Sequence, residues 1–295
     1  MQFTGRIERI SIVGAGAVGG SLANALFEAG LQIDFVVDRF APKGQSVAEQ
    51  TGSEYLSTLN DRLAVSEVVL VAVPDQEVGA VSNEGAALRG NLSHQVWLHT
   101  AGALSASALR SIAPHVLGTG GFHPACAFPK DRITSLPANT AFGVDGNDAA
   151  LQVCTDLARA MGGRTVLIPG TARALYHASC VLASNAVIGL LTEAARALAE
   201  GGVDKDDAAR LLIALTQGAV SRAAALGLEA ALTGPIRRGD VDTVSEHLKA
   251  LAGDAAADAL YRATSIAVLN ATRAADFADA DALSKIERLL YGKGY

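Results

Sequence analysis

Short apolar runs alternate with helical spacing through the first part of the chain. Residues 7–13 (IERISIV) are apolar and β-branched at their end, and read as a first strand. Helical patterning follows at 21–29, with Gly30 suited to the position just past a helix. Residues 31–37 read as a second strand and 47–53 as a second helix. The run at 68–73 (VVLVAV) is continuous, as in a strand buried on both faces, and Pro74 stops it. Residues 95–100 (QVWLHT) read as a fourth strand, and 116–121, 140–144 and 164–168 carry weaker strand patterning. Strands alternating with helices imply right-handed crossovers and a doubly wound, mostly parallel α/β sheet.

After Pro169-Gly170 the pattern changes. Residues 171–201 read as one long helix, and 204–226, 241–251, 255–269 and 281–290 are also helical in spacing, with Pro235 the one proline there. Two domains are expected: an α/β domain over 1–169 and an all-helical domain over 170–295. Half of the residues are hydrophobic but only 5% are aromatic, so the core must come from Ala, Leu, Val and Ile. A net charge of −6 without a basic block argues against a nucleic-acid partner. Cys126, Cys154 and Cys180 are scattered, odd in number and without a CxxC pair. They read as free thiols of a cytoplasmic protein rather than a disulfide or zinc framework. With no unbroken run of 18 apolar residues, no membrane span is expected.

Between the first strand and the first helix lies Gly14-Ala15-Gly16-Ala17-Val18-Gly19. The first glycine permits a tight turn, the second lets a pyrophosphate approach the backbone, and the third lets helix and strand pack closely. The helix N-terminus adds free N–H groups and partial positive charge. This pattern predicts a Rossmann dinucleotide site. Asp38, at the end of the second strand, suits the adenosine ribose of NAD, whereas Arg39 and Lys43 suit the 2′-phosphate of NADP. NAD or NADP is therefore expected, with Asp38 tilting the balance toward NAD. Val73-Pro74-Asp75 and Thr100-Ala101-Gly102, preceded by His99, are expected over the cofactor at the carboxyl ends of the third and fourth strands.

The chain resembles a group of bacterial proteins that pair a Rossmann-like NAD(P)-binding domain with a C-terminal helical domain of unknown function. The resemblance rests on the glycine turn, His99 to Gly102, Gly121-Phe122-His123-Pro124, Leu175-Tyr176-His177-Ala178, Ala183-Ser184-Asn185, and Leu232-Thr233-Gly234-Pro235-Ile236-Arg237-Arg238-Gly239-Asp240. The chain departs at Ala125-Cys126, where the group carries a bulkier residue and a Ser. That group is similar to pyrroline-5-carboxylate reductase, ketopantoate reductase, and the 6-phosphogluconate and 3-hydroxyisobutyrate dehydrogenases. The resemblance implies a nicotinamide-dependent oxidoreductase, dimeric through its helical domain. It also implies a proton donor on the first helix after the Rossmann domain, where the relatives mostly carry Lys.

That helix carries Arg173, Tyr176, His177, Ser184 and Asn185. In an unbroken helix His177 and Ser184 lie about 20° apart on one face and Asn185 about 80° from His177. His177 is the expected proton donor, because imidazole delivers a proton near neutral pH. Ser184 and Asn185 are expected as orienters, and His123 as a second polar group or a turn residue. Arg237 or Arg238 can bind a substrate carboxylate. Asp240 suits an N-cap. No metal-ligand spacing occurs. The function expected is reduction of a C=O or C=N bond in a small carboxylate substrate, by a homodimer. The competing reading is a nucleotide-binding sensor or scaffold that keeps the fold without the chemistry.

Overall fold

The computed structural model describes residues 7–130, 132–275 and 277–292. The chain divides into two compact units, 1–182 and 183–295. The first contains β1 (Arg9–Val13), α1 (Ala17–Glu28), β2 (Gln32–Val37), α2 (Ala41–Thr51), β3 (Glu54–Leu56), β4 (Val68–Val71), α3 (Val78–Ala86), β5 (Val96–His99), β6 (Gly118–Pro124), β7 (Ala141–Gly146), α4 (Asp148–Ala160), β8 (Arg164–Leu167) and most of α5 (Arg173–Ala183). The strands form one sheet in the order β3-β2-β1-β4-β5-β6-β7-β8, parallel except for the antiparallel β6–β7 pair.

The continuous apolar runs have a direct cause. Along β4, Val68 and Leu70 join one buried cluster with Ile10, Ile12, Val36 and Leu98, while Val69 and Val71 join another with Val13, Val37 and Trp97. Both faces of the sheet are covered, so alternation with polar residues is lost. The doubly wound mostly parallel sheet expected from the sequence is present. Successive connections leave β1 toward β2 on one side and toward β4 on the other. The crevice at the carboxyl ends of β1 and β4 is the usual place for a ligand in such a sheet.

Three elements differ from or add to the sequence reading. β3 has only three residues and lies at the sheet edge. The helix α3 (VGAVSNEGA) contains two glycines, which weaken its propensity, and tertiary packing of Val78 and Val81 holds it. α4 starts at an Asn147 cap whose side chain accepts from the Ala150 amide at 3.1 Å.

The single helix expected over 171–201 is interrupted. Ser184, at φ −127° and ψ −80°, leaves helical geometry between α5 and α6 (Asn185–Glu200). The shared-face argument linking His177 to Ser184 and Asn185 therefore does not hold. The compositional change at 170 also precedes the division of the chain at 182, because α5 packs its Arg173 and Tyr176 against β7. Gly170–Glu200 is nonetheless long and apolar enough, by length and composition, to cross a membrane, with a mean hydropathy of 1.5. Its His, Ser and Thr interrupt the apolar run, so no unbroken run of 18 apolar residues is present, but they offset little of its Ala, Leu and Val content.

The second unit contains α6, α7 (Lys205–Leu226), α8 (Leu228–Ala231), α9 (Pro235–Arg238), α10 (Val241–Leu251), α11 (Ala255–Ala274) and α12 (Ala280–Tyr291). Its core is Ile236, Val244, Leu248, Leu269, Leu283, Ile286 and Leu290, from α9 to α12. Asp240 caps α10 as expected, accepting from the Thr243 amide at 3.1 Å. By contrast, α6 buries none of its residues and α7 only Ala208.

Candidate active site

The glycine turn is built for close backbone packing on one side and open access on the other. Gly14 has φ +99° and donates its amide to Val37 O at 2.8 Å, turning the chain off β1. A side chain at Gly19 would be driven into the Gly14 carbonyl. At Gly16 the position of a Cβ has nothing within 4 Å. Gly16 is the N-cap of α1, supplies no side-chain cap, and is followed by no acidic residue in the first turn. The N-terminal amides of α1 are thus available to an anion. Ala15, Ala17 and Val18 keep the same turn small and apolar.

Asp38 has a structural role beside the one its position suggests. Its two carboxylate oxygens accept from the Ala15 and Phe40 amides, each at 2.7 Å, so it ties the glycine turn to the end of β2. Arg39 is exposed and pairs with Glu77. A cleft of about 630 Å³ is bounded by Asp38, Arg39, Phe40, Lys43, Ser57 and Thr58. It shares Gly16, Val73 and Pro74 with a second cleft of about 540 Å³ that reaches Asp75, Thr100, Ala101 and Gly102. Most of the expected cofactor residues, though not Ala15 or Gly19, line one continuous path across the carboxyl ends of β1, β4 and β5. The open position above Gly16 and the uncapped helix fit an elongated dinucleotide.

At the far end of this path, His123 and His177 line the second cleft, so the structure places both in the first unit. A Cβ on Gly102 would lie 2.5 Å from His177 Nδ1 and 2.9 Å from His123 Nε2. The two rings meet edge to face with centroids 5.9 Å apart. His177 Nδ1 is buried and has no hydrogen-bond partner. His123 Nδ1 is 2.8 Å from the Tyr176 hydroxyl. Burial, with His177, Arg173 and His99 close by, pushes His123 down to about 4. It is therefore neutral at pH 7. Burial also raises the Tyr176 phenol, which keeps its proton.

His99 does not line the cleft. It is fully buried at the end of β5, its Nε2 3.0 Å from Ser105 O, and burial lowers its pKa. Its Nε2 holds the loop that follows β5, while its Nδ1 is buried without a hydrogen-bond partner. Cys126 borders the cleft, but burial raises its thiol, away from nucleophilic thiolate.

Beneath the imidazoles lies an ion pair of which the sequence reading named Arg173 but not its partner Asp145. Arg173 is only 1% exposed and pairs with the buried carboxylate of Asp145. Its Nη1 donates to Gly143 O at 3.2 Å, and Asp145 Oδ2 accepts from the Ala106 amide at 2.7 Å. Two glycines make the room. A side chain at Gly121 would collide with this pair, and one at Gly143 would collide with the Tyr176 hydroxyl. Glycine inside two paired strands was the available signal.

Ser184 and Asn185 belong to the second unit, where Ser184 Oγ donates to Asn185 Oδ1 at 3.2 Å. Arg237 stacks over Phe277 at 4.1 Å, and Arg238 lies 3.7 Å from Asp240. Among the described residues no cluster of His, Cys, Asp and Glu suits a metal ion.

An open glycine turn at a sheet switch point, continuous with a polar end pocket, defines a Rossmann-type dinucleotide-binding protein. Comparison with known families agrees. Residues 9–97 match the family described as NADP oxidoreductase, coenzyme F420-dependent, and residues 140–268 match a domain of unknown function, DUF2520. The chain thus joins an NADP-oxidoreductase Rossmann domain to a DUF2520 domain, as the resemblance implied. No curated protein matches it in sequence. Among solved structures it is similar to protein TM1727 from Thermotoga maritima, with 23% identity, TM-score 0.70, and 90% of this chain and 99% of that one covered. It is similar to pyrroline carboxylate reductase from Plasmodium falciparum with NADP bound, at 16% identity and TM-score 0.58, covering 98% and 99%. It is also similar to an imine reductase from Pseudomonas sp., at 18% identity and TM-score 0.57, covering 89% and 96%. At these identities the likeness is one of fold.

Because the Gly16 position opens onto free space, Gly16→Val is expected to leave the melting temperature near that of wild type. The same variant should abolish NADP(H) binding in a fluorescence titration. Wild-type affinity in a folded Gly16→Val protein would contradict the cofactor site.

Proposed function

We propose that the protein is an NADP(H)-dependent reductase of a small substrate carrying a C=O or C=N bond. The observation that carries this reading is the convergence of His123 Nε2 and the unpartnered His177 Nδ1 beside Gly102, in the cleft that includes the glycine turn. A buried polar atom without a partner is costly, and a substrate polar group removes that cost. NADP is favoured over NAD, against the tilt of the sequence reading. Asp38 already accepts two backbone amides, while Arg39, Lys43, Ser57 and Thr58 face the same cleft with groups that suit a 2′-phosphate. When bound, the reduced nicotinamide supplies a hydride; the chain's own task is to orient the acceptor and deliver a proton. His177 is the proton donor in this reading and His123 its neighbour on the acceptor. The proposal uses groups of the first unit only.

The substrate screen is NADPH oxidation with 2-keto acids and cyclic imines. We expect turnover by wild type, and a loss of about 10²–10⁴ in His177→Ala with cofactor affinity retained. NADPH binding without oxidation of any substrate would favour the sensor reading instead.

The same reading includes a homodimer, supported by the surface of α6 and α7. Ile188, Leu211, Leu215 and Val220 are 57–65% exposed, and the two helices together bury one residue. An apolar face of this extent is characteristic of an interface between copies. Sedimentation should give twice the 30.2 kDa chain mass at micromolar concentration, and Leu211→Glu with Leu215→Glu should shift it toward monomer. A wild-type monomer would refute the dimer.

A further inference from the structure

We propose that the connection after β6 is a cofactor strap: Lys130 and Arg132, held beside the glycine turn, bind the pyrophosphate of the dinucleotide. The inference rests on the dinucleotide site and is independent of the reductase reading.

Antiparallel neighbours such as β6 and β7 can be joined by two residues. Here the connection runs from 125 to 140, with no helix or strand among its described residues. Connections of that length without structure of their own are uncommon in a compact unit and are characteristic of binding loops. Its middle is fastened to α1. A Cβ on Gly20 would lie 2.5 Å from Ile133 Cδ1, and Ile133 and Leu136 pack against the buried cluster that α1 shares with the sheet. The Thr134 amide donates to Ser21 Oγ at 3.0 Å, and Ser21 is only 1% exposed. Gly20 lies one position beyond the three glycines that a dinucleotide turn needs. It has its own cause: it leaves the room that Ile133 fills.

This anchor brings two cations to the glycine turn. Lys130 and Arg132 line a cleft of about 630 Å³ together with Ala15, Gly16 and Ala17, and Lys43 of α2 lines it as well. Lys130 also lines the cleft that reaches Gly102. Gly16 is common to this cleft and to the two that form the cofactor path. The position above Gly16 is where a pyrophosphate approaches the backbone, so the cations border that position. Among the described residues no carboxylate lines the cleft of Arg132, and the first turn of α1 has no acidic residue (Asp131 lies outside the described residues). The uncapped amides of α1 offer only a partial positive charge, whereas a pyrophosphate carries two negative ones. Lysine adds a point charge and arginine a two-pronged donor for phosphate oxygens. Arg132 does not border the cleft of Arg39, Ser57 and Thr58, which assigns it to the pyrophosphate and not to a 2′-phosphate.

The test uses the full chain and two readouts, neither of them turnover. In fluorescence titrations with NADPH and with NADH, the combined variant Lys130→Ala and Arg132→Ala should weaken both by the same factor, about tenfold, at an unchanged melting temperature. A loss for NADPH alone would place these cations on the 2′-phosphate, and unchanged affinity for both would remove them from the cofactor; either result overturns the proposal. Lys130 and Arg132 are exposed, so trypsin can cut after them. NADPH should slow those two cleavages in wild type, as mapped by mass spectrometry of the fragments. Cleavage there at the same rate with and without saturating NADPH overturns the proposal as well. Folded wild type that binds neither dinucleotide overturns the glycine-turn site itself, and the strap with it.

Discussion

The Arg173–Asp145 ion pair is the contact on which the arrangement of the end pocket depends. It gathers three segments that are remote in sequence. Arg173 opens α5, Asp145 lies near the end of β7, and the Ala106 amide, which also bonds Asp145, belongs to the loop after β5. Each segment carries one part of the pocket: His177 and Tyr176 on α5, the Gly143 space on β7 opposite His123, and Gly102 on the loop. Removing two charges from water costs several kcal/mol each, and their attraction returns roughly that cost only when the geometry is good. The gain is less in net stability than in uniqueness, because few other arrangements satisfy both charges in a dry site. One atom is left over: Arg173 Nε is buried without a partner, which makes the remaining contacts of the guanidinium more important to keep.

The nucleotide half of the path obeys different physics. It uses no buried charge pair. It depends on backbone: a positive φ at Gly14, a forbidden side chain at Gly19, an empty position at Gly16, and helix amides left uncapped. Asp38 links this half to β2 through two amides and also lines the cleft. The two halves meet at Val73 and Pro74, where both clefts share a wall. A change at the ion pair should therefore disturb the chemistry end and spare cofactor binding.

The sequence made the nucleotide half legible because glycine spacing, strand and helix are all local signals. The sheet was legible for the same reason: β4 is buried on both faces and reads as an unbroken apolar run, and β5 as a short apolar stretch within QVWLHT. The end pocket was only partly so. His123 and His177 stood out as chemistry-bearing residues near unusual glycines. Arg173 was named on its helix but its partner was not: Asp145, an aspartate in a weak strand, looks like a surface residue until β6, β7 and α5 are packed. The break at Ser184 carried no proline or glycine to mark it, so helical periodicity extended through it and joined His177 to Ser184 and Asn185 on a face that does not exist.

The most direct test of this account is a double-mutant cycle on the ion pair, using Arg173→Met, Asp145→Leu and the combined variant. Each single change strands a buried charge and should lower unfolding free energy by about 3–5 kcal/mol, while the double variant should recover most of that loss. Losses that simply add would contradict a coupled pair and remove the basis for the pocket described here.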